Sequence, residues 1–193
     1  MRPFDGKRVL IGVAGGIAAY KTVELARRLR LAGAEVQVIL TDSGSHFVGR
    51  ATFEALTGRK VRQSLWENAL DHIELGRWAD AIVVAPATAN VLAKFANGLA
   101  DGLLSTTLLA APGRALLAPA MNTRMYEHPA TQSNLETLRE HGHRIVGPAY
   151  GELAEGEEGW GRMVEPEVIF AHVGRMLEPE SAHTILNQAA GLS

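Results

Sequence analysis

The sequence contains no cysteine. Disulfide bonds, thiolate metal sites, iron–sulfur clusters and a cysteine nucleophile are therefore excluded. The seven histidines are spread along the chain. His141 and His143 stand two residues apart at a predicted helix end, but the sequence offers no third ligand beside them. We therefore expect no metal site.

A dominant charge of one sign is also lacking. Lys and Arg number 19 against 21 Asp and Glu, so the formal net charge is -2, and no basic block stands out. This balance argues against a nucleic-acid binder. No apolar run reaches the roughly 18 residues of a membrane helix, and the first residues lack the layout of a signal peptide. We therefore expect a cytoplasmic protein with no membrane partner.

The composition predicts one domain with a large core. The chain has 193 residues, of which 47% are hydrophobic and 21% charged. That length suits a single domain, which we place at residues 1–178. Residues 179–193 are weakly patterned, and we interpret them as a tail or a truncated linker.

Short apolar runs alternate with amphipathic segments along the chain. Strands are predicted at 7–14, 35–40, 81–85, 115–118 and 144–146. Helices are predicted at 17–31, 47–56, 89–96, 103–110, 131–141 and 167–177. This alternation is typical of a doubly wound α/β sandwich with a parallel sheet. The stretch 147–161 is rich in glycine and glutamate and is predicted to be a mobile loop.

Ligands of such sheets bind beyond the carboxyl ends of the strands. The first such turn, Gly12–Lys21, is rich in glycine and opens a helix, which suits a phosphate. Its spacing matches no standard nucleotide motif, so a purely structural turn is the alternative. After the second strand, Asp42 suits a ribose, while the hydroxyls of Thr41 and Ser43 suit a phosphate or a helix N-cap.

The later strand ends carry small, polar or adaptable residues. Residues 85–90 (APATAN) leave room for a flat ring, and the three hydroxyls at 105–107 either bond back to carbonyls or line a pocket. Asn122 follows a buried strand, and its amide suits a carboxylate or serves the turn. His72 stands near two carboxylates and is a candidate base, although a structural histidine is the commoner case.

Five motifs together carry a family resemblance. They are GGIAAYK at 15–21, DHIELGRWAD at 71–80, APATAN at 85–90, ADGLLSTT at 100–107 and PAMNTRMY at 119–126. In this order they resemble the flavin-dependent cysteine decarboxylases, most closely the phosphopantothenoylcysteine decarboxylases of coenzyme A biosynthesis. The resemblance covers residues 6–170, including GELAEGEEGWGRM at 151–163.

The resemblance implies a Rossmann-like three-layer sandwich that binds FMN non-covalently. It implies a carboxy-lyase that converts phosphopantothenoylcysteine to phosphopantetheine, in which the flavin accepts a hydride so that the carboxylate can leave. It also implies a homotrimer or dodecamer with the active site between subunits. A ligase domain follows this domain in many relatives and is absent from this chain.

The resemblance also assigns site residues. The catalytic base is His72, Asn122 holds the substrate carboxylate, and the flap at 151–163 closes over the substrate. The FMN contacts are Gly15, Gly16, Ile17, Ala18, Thr41, Ser43, Phe47, Ala87, Thr88, Ser105, Thr106 and Met121.

One position departs from the family pattern. The family's flap has a cysteine that donates a proton in the final reduction, and Glu155 stands at that place. Either Glu155 is itself the acid, kept protonated by desolvation under a closed flap, or the final reduction is lost. The second case predicts oxidative decarboxylation of a peptide C-terminal cysteine to an enethiol. A flavin protein without this turnover is the third reading.

Overall fold

A five-stranded parallel sheet forms the centre of the protein. The computed structural model describes residues 2–154 and 156–178. The strands of the sheet are β1 (Arg8–Val13), β2 (Glu35–Leu40), β3 (Ala81–Ala87), β4 (Ala115–Pro119) and β5 (Arg144–Ile145). Their order is β2-β1-β3-β4-β5, and all neighbouring pairs are parallel. Every residue of β3 and β4 is buried, as expected for strands covered on both faces.

Helices cover both faces of this sheet. They are α1 (Ala19–Leu31), α2 (Asp42–Ser45), α3 (Arg50–Thr57), α4 (Asp71–Trp78), α5 (Ala89–Ala96), α6 (Leu103–Ala110), α7 (Thr123–Glu127), α8 (Pro129–Glu140) and α9 (Pro166–Leu177). Alternate side chains of β1 enter two separate cores: Val9 and Ile11 pack with α1, α3 and α9, whereas Leu10 packs with α4, α5, α6 and α8. The predicted three-layer α/β sandwich is confirmed.

The strand order creates a crevice at one edge of the sheet. β1 continues into α1 on one face, and its neighbour β3 continues into α5 on the other face. The two connections therefore diverge at the carboxyl ends of β1 and β3. Such a switch point is where open parallel sheets bind their ligands.

Several parts of the chain differ from the prediction. The predicted loop at 147–161 is wrong, because β6 (Ala149–Glu152) and β7 (Glu158–Arg162) form an antiparallel hairpin there. The glycine- and glutamate-rich sequence has little strand propensity, and the pairing accompanies contacts with the loop after β4. The sequence also predicts no helix at Asp42–Ser45, Asp71–Trp78 or Thr123–Glu127, which form α2, α4 and α7.

Some expectations fall outside the described residues. They concern the tail at 179–193 and the acid at Glu155. No helix in the described part of the chain combines the length and the apolar composition needed to cross a bilayer.

Candidate functional site

A cavity of about 990 Å³ opens at the carboxyl ends of β1 and β3. Its size is within the usual range for sites that enclose a small molecule or cofactor. The wall combines the β1–α1 turn, the start of α2, the α5 and α6 helices, the loop after β4 and the β6–β7 hairpin. The predicted site residues on this wall are Gly15, Gly16, Ile17, Ala18, Thr41, Ser43, Thr88, Ser105, Met121 and Asn122.

The β1–α1 turn brings main chain to the cavity. A Cβ on Gly15 would lie 2.4 Å from the Cβ of Ser43, so any side chain there would push the two strand-end loops apart. A Cβ on Gly16 would lie 3.7 Å from Cγ2 of Thr88, in ordinary contact. Among the described residues, no side chain caps the first turn of α1, which has 13 residues. Its first N–H groups and positive dipole end therefore suit an anion at the cavity wall.

The segment after β2 uses its hydroxyls in two ways. Thr41 is the N-cap of α2: its Oγ1 accepts a hydrogen bond from Gly44 N at 3.0 Å and donates one to Val13 O at 3.1 Å. Asp42 accepts a hydrogen bond from Gln63 Nε2 at 3.0 Å, and both residues lie on the wall. Thr41 is thus both the N-cap of α2 and a residue of the cavity wall.

The hydroxyls of α6 resolve an alternative left open by the sequence. Thr106 and Thr107 donate hydrogen bonds to main-chain carbonyls one turn earlier, at 2.8 and 2.7 Å. Ser105 accepts a hydrogen bond from Gly102 N at 3.1 Å and also lies on the wall. Thr88 is the N-cap of α5 and likewise lies on the wall. Ser105 and Thr88 therefore combine a structural role with a place in the cavity.

The loop after β4 forms another part of the cavity wall. Asn122 lies on the wall and caps α7, accepting a hydrogen bond from Arg124 N at 2.8 Å. The hairpin packs closely on this loop: Met121 N donates to Gly161 O at 3.0 Å. A Cβ on Gly161 would lie 2.0 Å from Met121 O, so only glycine permits this approach. The hairpin therefore fixes the loop that carries Asn122.

Four predicted site residues do not line this cavity. Ala87 is fully buried at the end of β3, Phe47 is 48% exposed, and Thr106 bonds to its own helix. His72 is half-buried in the first turn of α4 and is not part of the described cavity wall. Within the described part of one chain, the structure therefore brings Asn122 into the cavity and leaves His72 outside it.

Two lysines of the wall form ion pairs that the sequence did not predict. Lys94 Nζ lies 2.7 Å from an Asp101 carboxylate oxygen, and this hydrogen bond holds the pKa of Asp101 below its usual range. Lys21, only 8% exposed, lies 2.8 Å from Glu165, which also accepts from Arg162 at 2.7 Å. The pKa of Glu165 is lowered by these bonds, that from Lys21 most.

Helical periodicity could have placed Lys94, the basic member of the first pair, on the cavity wall. Lys94 stands four residues after Asn90 in α5, so the two share a helix face. The second pair joins residues 144 positions apart, which no local pattern indicates.

A profile of the family described as Flavoprotein matches residues 2–178. The chain belongs to the flavoprotein family. Similar curated proteins include several named coenzyme A biosynthesis bifunctional protein CoaBC. That of Vibrio cholerae is 45% identical over 184 residues, which is 93% of this chain and 46% of the relative. That of Haemophilus influenzae is 50% identical over 170 residues, covering 86% and 42%.

Solved structures agree with this placement. A PPC decarboxylase variant complexed with pantothenoylaminoethenethiol has a TM-score of 0.77 and 36% identity, covering 86% of this chain and 96% of that one. The FMN-dependent cysteine decarboxylase SpaF has a TM-score of 0.77 and 33% identity, covering 90% and 97%. The chain spans less than half the length of the curated relatives it matches.

Proposed function

We propose that the cavity binds FMN and that the protein is a carboxy-lyase acting on phosphopantothenoylcysteine. The observation that carries the proposal is the joining, in one cavity, of a glycine turn, an uncapped helix start and Asn122. The similarity to PPC decarboxylase and to FMN-dependent SpaF supports both the cofactor and the reaction. The bifunctional coenzyme A proteins support the substrate.

The residues of the wall fit a phosphorylated flavin. Gly15 and Gly16 leave room for an approach to the main chain, and the start of α1 with Ser43 offers donors to a phosphate. Met121 and Ile17 add apolar surface for the rings. FMN, when bound, supplies a hydride acceptor for the carbon that bears sulfur, which makes loss of carbon dioxide possible.

The chain's own residues bind, orient and shield the substrate. Asn122 is oriented by its cap on α7, in which its Oδ1 accepts a hydrogen bond from Arg124 N, and we assign it to the substrate carboxylate. The hairpin at 149–162 covers the same loop and excludes water from the carboxylate. Glu155, which lies between β6 and β7 in the sequence, is our candidate for the proton donor to product.

His72 is our candidate for the base that removes a proton from the substrate thiol. Because it lies outside the cavity of its own chain, the proposal requires a second copy to bring its His72 to the cavity. This agrees with a homotrimer or dodecamer with sites between subunits. We further propose a cytoplasmic location and, by similarity to the bifunctional relatives, cooperation with a ligase domain.

The reaction is tested with purified protein, FMN and phosphopantothenoylcysteine. We expect a product that has lost carbon dioxide alone, identified by mass spectrometry. A product that has lost carbon dioxide and two hydrogens, formed from a peptide ending in cysteine, would instead support the enethiol reaction. No conversion of either substrate by flavin-loaded protein would overturn the decarboxylase proposal.

Cofactor binding is tested separately with two glycine variants. Gly15→Ala should abolish FMN retention, because its Cβ would collide with Ser43. Gly49→Ala is the matched control, since nothing lies within 4 Å of its Cβ. Visible absorbance after gel filtration measures retention, and equal retention by the two variants would contradict the placement of the flavin.

A further inference from the structure

A buried carboxylate stands beside the candidate base. Asp71 opens α4 and is only 2% exposed. Its Oδ1 accepts a hydrogen bond from Asn68 Nδ2 at 2.9 Å. Its Oδ2 lies 3.3 Å from Arg62 Nη1, a charge contact without hydrogen-bond geometry, and has no other partner among the described residues. Arg62 is therefore the one cationic partner of Asp71 among the described residues.

Arg62 is fixed to the edge of the sheet through its main chain. Its N–H donates to Val38 O at 3.0 Å, and its carbonyl accepts from Leu40 N at 2.9 Å. Through these two hydrogen bonds, Arg62 pairs in parallel with Ile39, which lies between Val38 and Leu40 in β2. The next residue, Gln63, lies on the cavity wall. Arg62 thus links the first turn of α4 to β2, beside the cavity.

The start of α4 has few other restraints. The N-cap is Leu70, and no side chain in the described part of the chain caps the helix. The eight-residue helix is too short to hold its own first turn strongly. The ion pair of Asp71 is therefore the main polar contact between this turn and the sheet.

Among the described residues, no hydrogen bond at Nδ1 orients the imidazole of His72. Its Nδ1 is buried and has no hydrogen-bond partner within the described ranges. Most catalytic histidines are oriented by a hydrogen bond at this nitrogen. Here the direction of the ring follows from the position of the helix turn that carries it.

We infer that Asp71, paired with Arg62, is a positioning residue that sets the direction of the His72 imidazole. This inference rests on the proposed function, in which His72 is the base. The carboxylate acts on the imidazole through the backbone of α4, not by direct contact. A misplacement of about 1 Å in a catalytic group costs about 100-fold in rate, so a small shift of this turn has a measurable effect.

The same helix provides a matched control. Asp80 follows the C-terminus of α4 and lies 2.9 Å from Arg8, at the start of β1. Both aspartates thus pair with an arginine anchored on the sheet, one at each end of α4. Only Asp71 is adjacent to His72, so a general loss of helix anchoring and a loss of His72 position can be separated.

The test compares Asp71→Asn with Asp80→Asn in FMN-loaded protein. We expect Asp71→Asn to lower kcat by about 10- to 100-fold while KM and FMN affinity stay near wild type. Asp80→Asn should lower thermal stability and leave kcat unchanged. Arg62→Lys, which retains the cation, should keep most of kcat, and Arg62→Gln should not. Unchanged kcat in Asp71→Asn, or an equal loss in Asp80→Asn, would overturn the inference.

A second measurement does not depend on turnover. In protein with ¹³C-labelled histidine, the ring signals of His72 are assigned by their loss in His72→Asn. We expect Asp71→Asn to move these signals and Asp80→Asn to leave them in place. Unmoved signals in Asp71→Asn refute the positioning role. Moved signals together with full activity of His72→Asn would instead refute the proposed base and keep the structural link.

Discussion

The contact between Gly161 and Met121 provides the sharpest prediction. Alanine at Gly161 would place its Cβ 2.0 Å from Met121 O, and Cβ contacts below 3.0 Å are essentially never seen. The hairpin and the loop must therefore separate by about 1 Å, the difference between these two distances. The hydrogen bond from Met121 N to Gly161 O, now 3.0 Å long, is lost with that separation.

The expected cost follows from two contributions. Gly161 has a φ of +145°, a conformation that disfavours a side chain by about 1–3 kcal/mol. The lost hydrogen bond adds about 1 kcal/mol. The free energy of unfolding should therefore fall by roughly 2–4 kcal/mol, or the hairpin should detach locally at a similar cost. Because the loop carries Asn122, turnover should fall by about 100-fold.

The assay combines denaturant unfolding, turnover and hydrogen exchange at the Met121 amide. Gly58→Ala is the control: φ is +69° there, but nothing lies within 4 Å of its Cβ. It should cost about 1–2 kcal/mol for the left-handed backbone and leave turnover and Met121 exchange unchanged. If Gly161→Ala shows slow Met121 exchange and normal turnover, the hairpin does not fix the Asn122 loop.

Three further predictions address charge, pH and product. Glu165→Gln should lower the free energy of unfolding by roughly 1–3 kcal/mol, because it leaves the buried ammonium of Lys21 without its carboxylate. Lys21→Met should cost less in urea titrations, and the reverse order would refute this. Burial lowers the pKa of His143, so the neutral ring is favoured in the fold. The contribution of the neutral His143 ring to the free energy of unfolding should therefore be fully present above the unfolded-state pKa of about 6.5, and it should be lost as the pH drops below that value. His143→Gln should make the melting temperature depend less steeply on pH in this range. An unchanged slope contradicts the assignment. Glu155→Gln should shift the product from net decarboxylation toward the enethiol by mass spectrometry, and an unaltered product would exclude Glu155 as the donor.

The sequence predicted the site residues that directly follow apolar strands. Gly15 and Ser43 follow apolar strands, and the carboxyl ends of parallel strands meet at one edge of the sheet. Asn122 and Thr88 were found for the same reason. The place of His72 relative to the cavity could not be predicted in this way, because a sequence motif identifies a residue but not the cavity that its side chain reaches.

The sequence alone determined the layers, the strand positions and most of the cavity wall. Apolar runs and helical periodicity are local properties, and the right-handed crossover rule converts them into a parallel sheet. Only the tertiary structure decided the β6–β7 hairpin, the pairing of Lys21 with Glu165 and the anchoring of Asp71 by Arg62. Each of these depends on the close approach of segments that are far apart in the sequence, so it exists only in the folded chain.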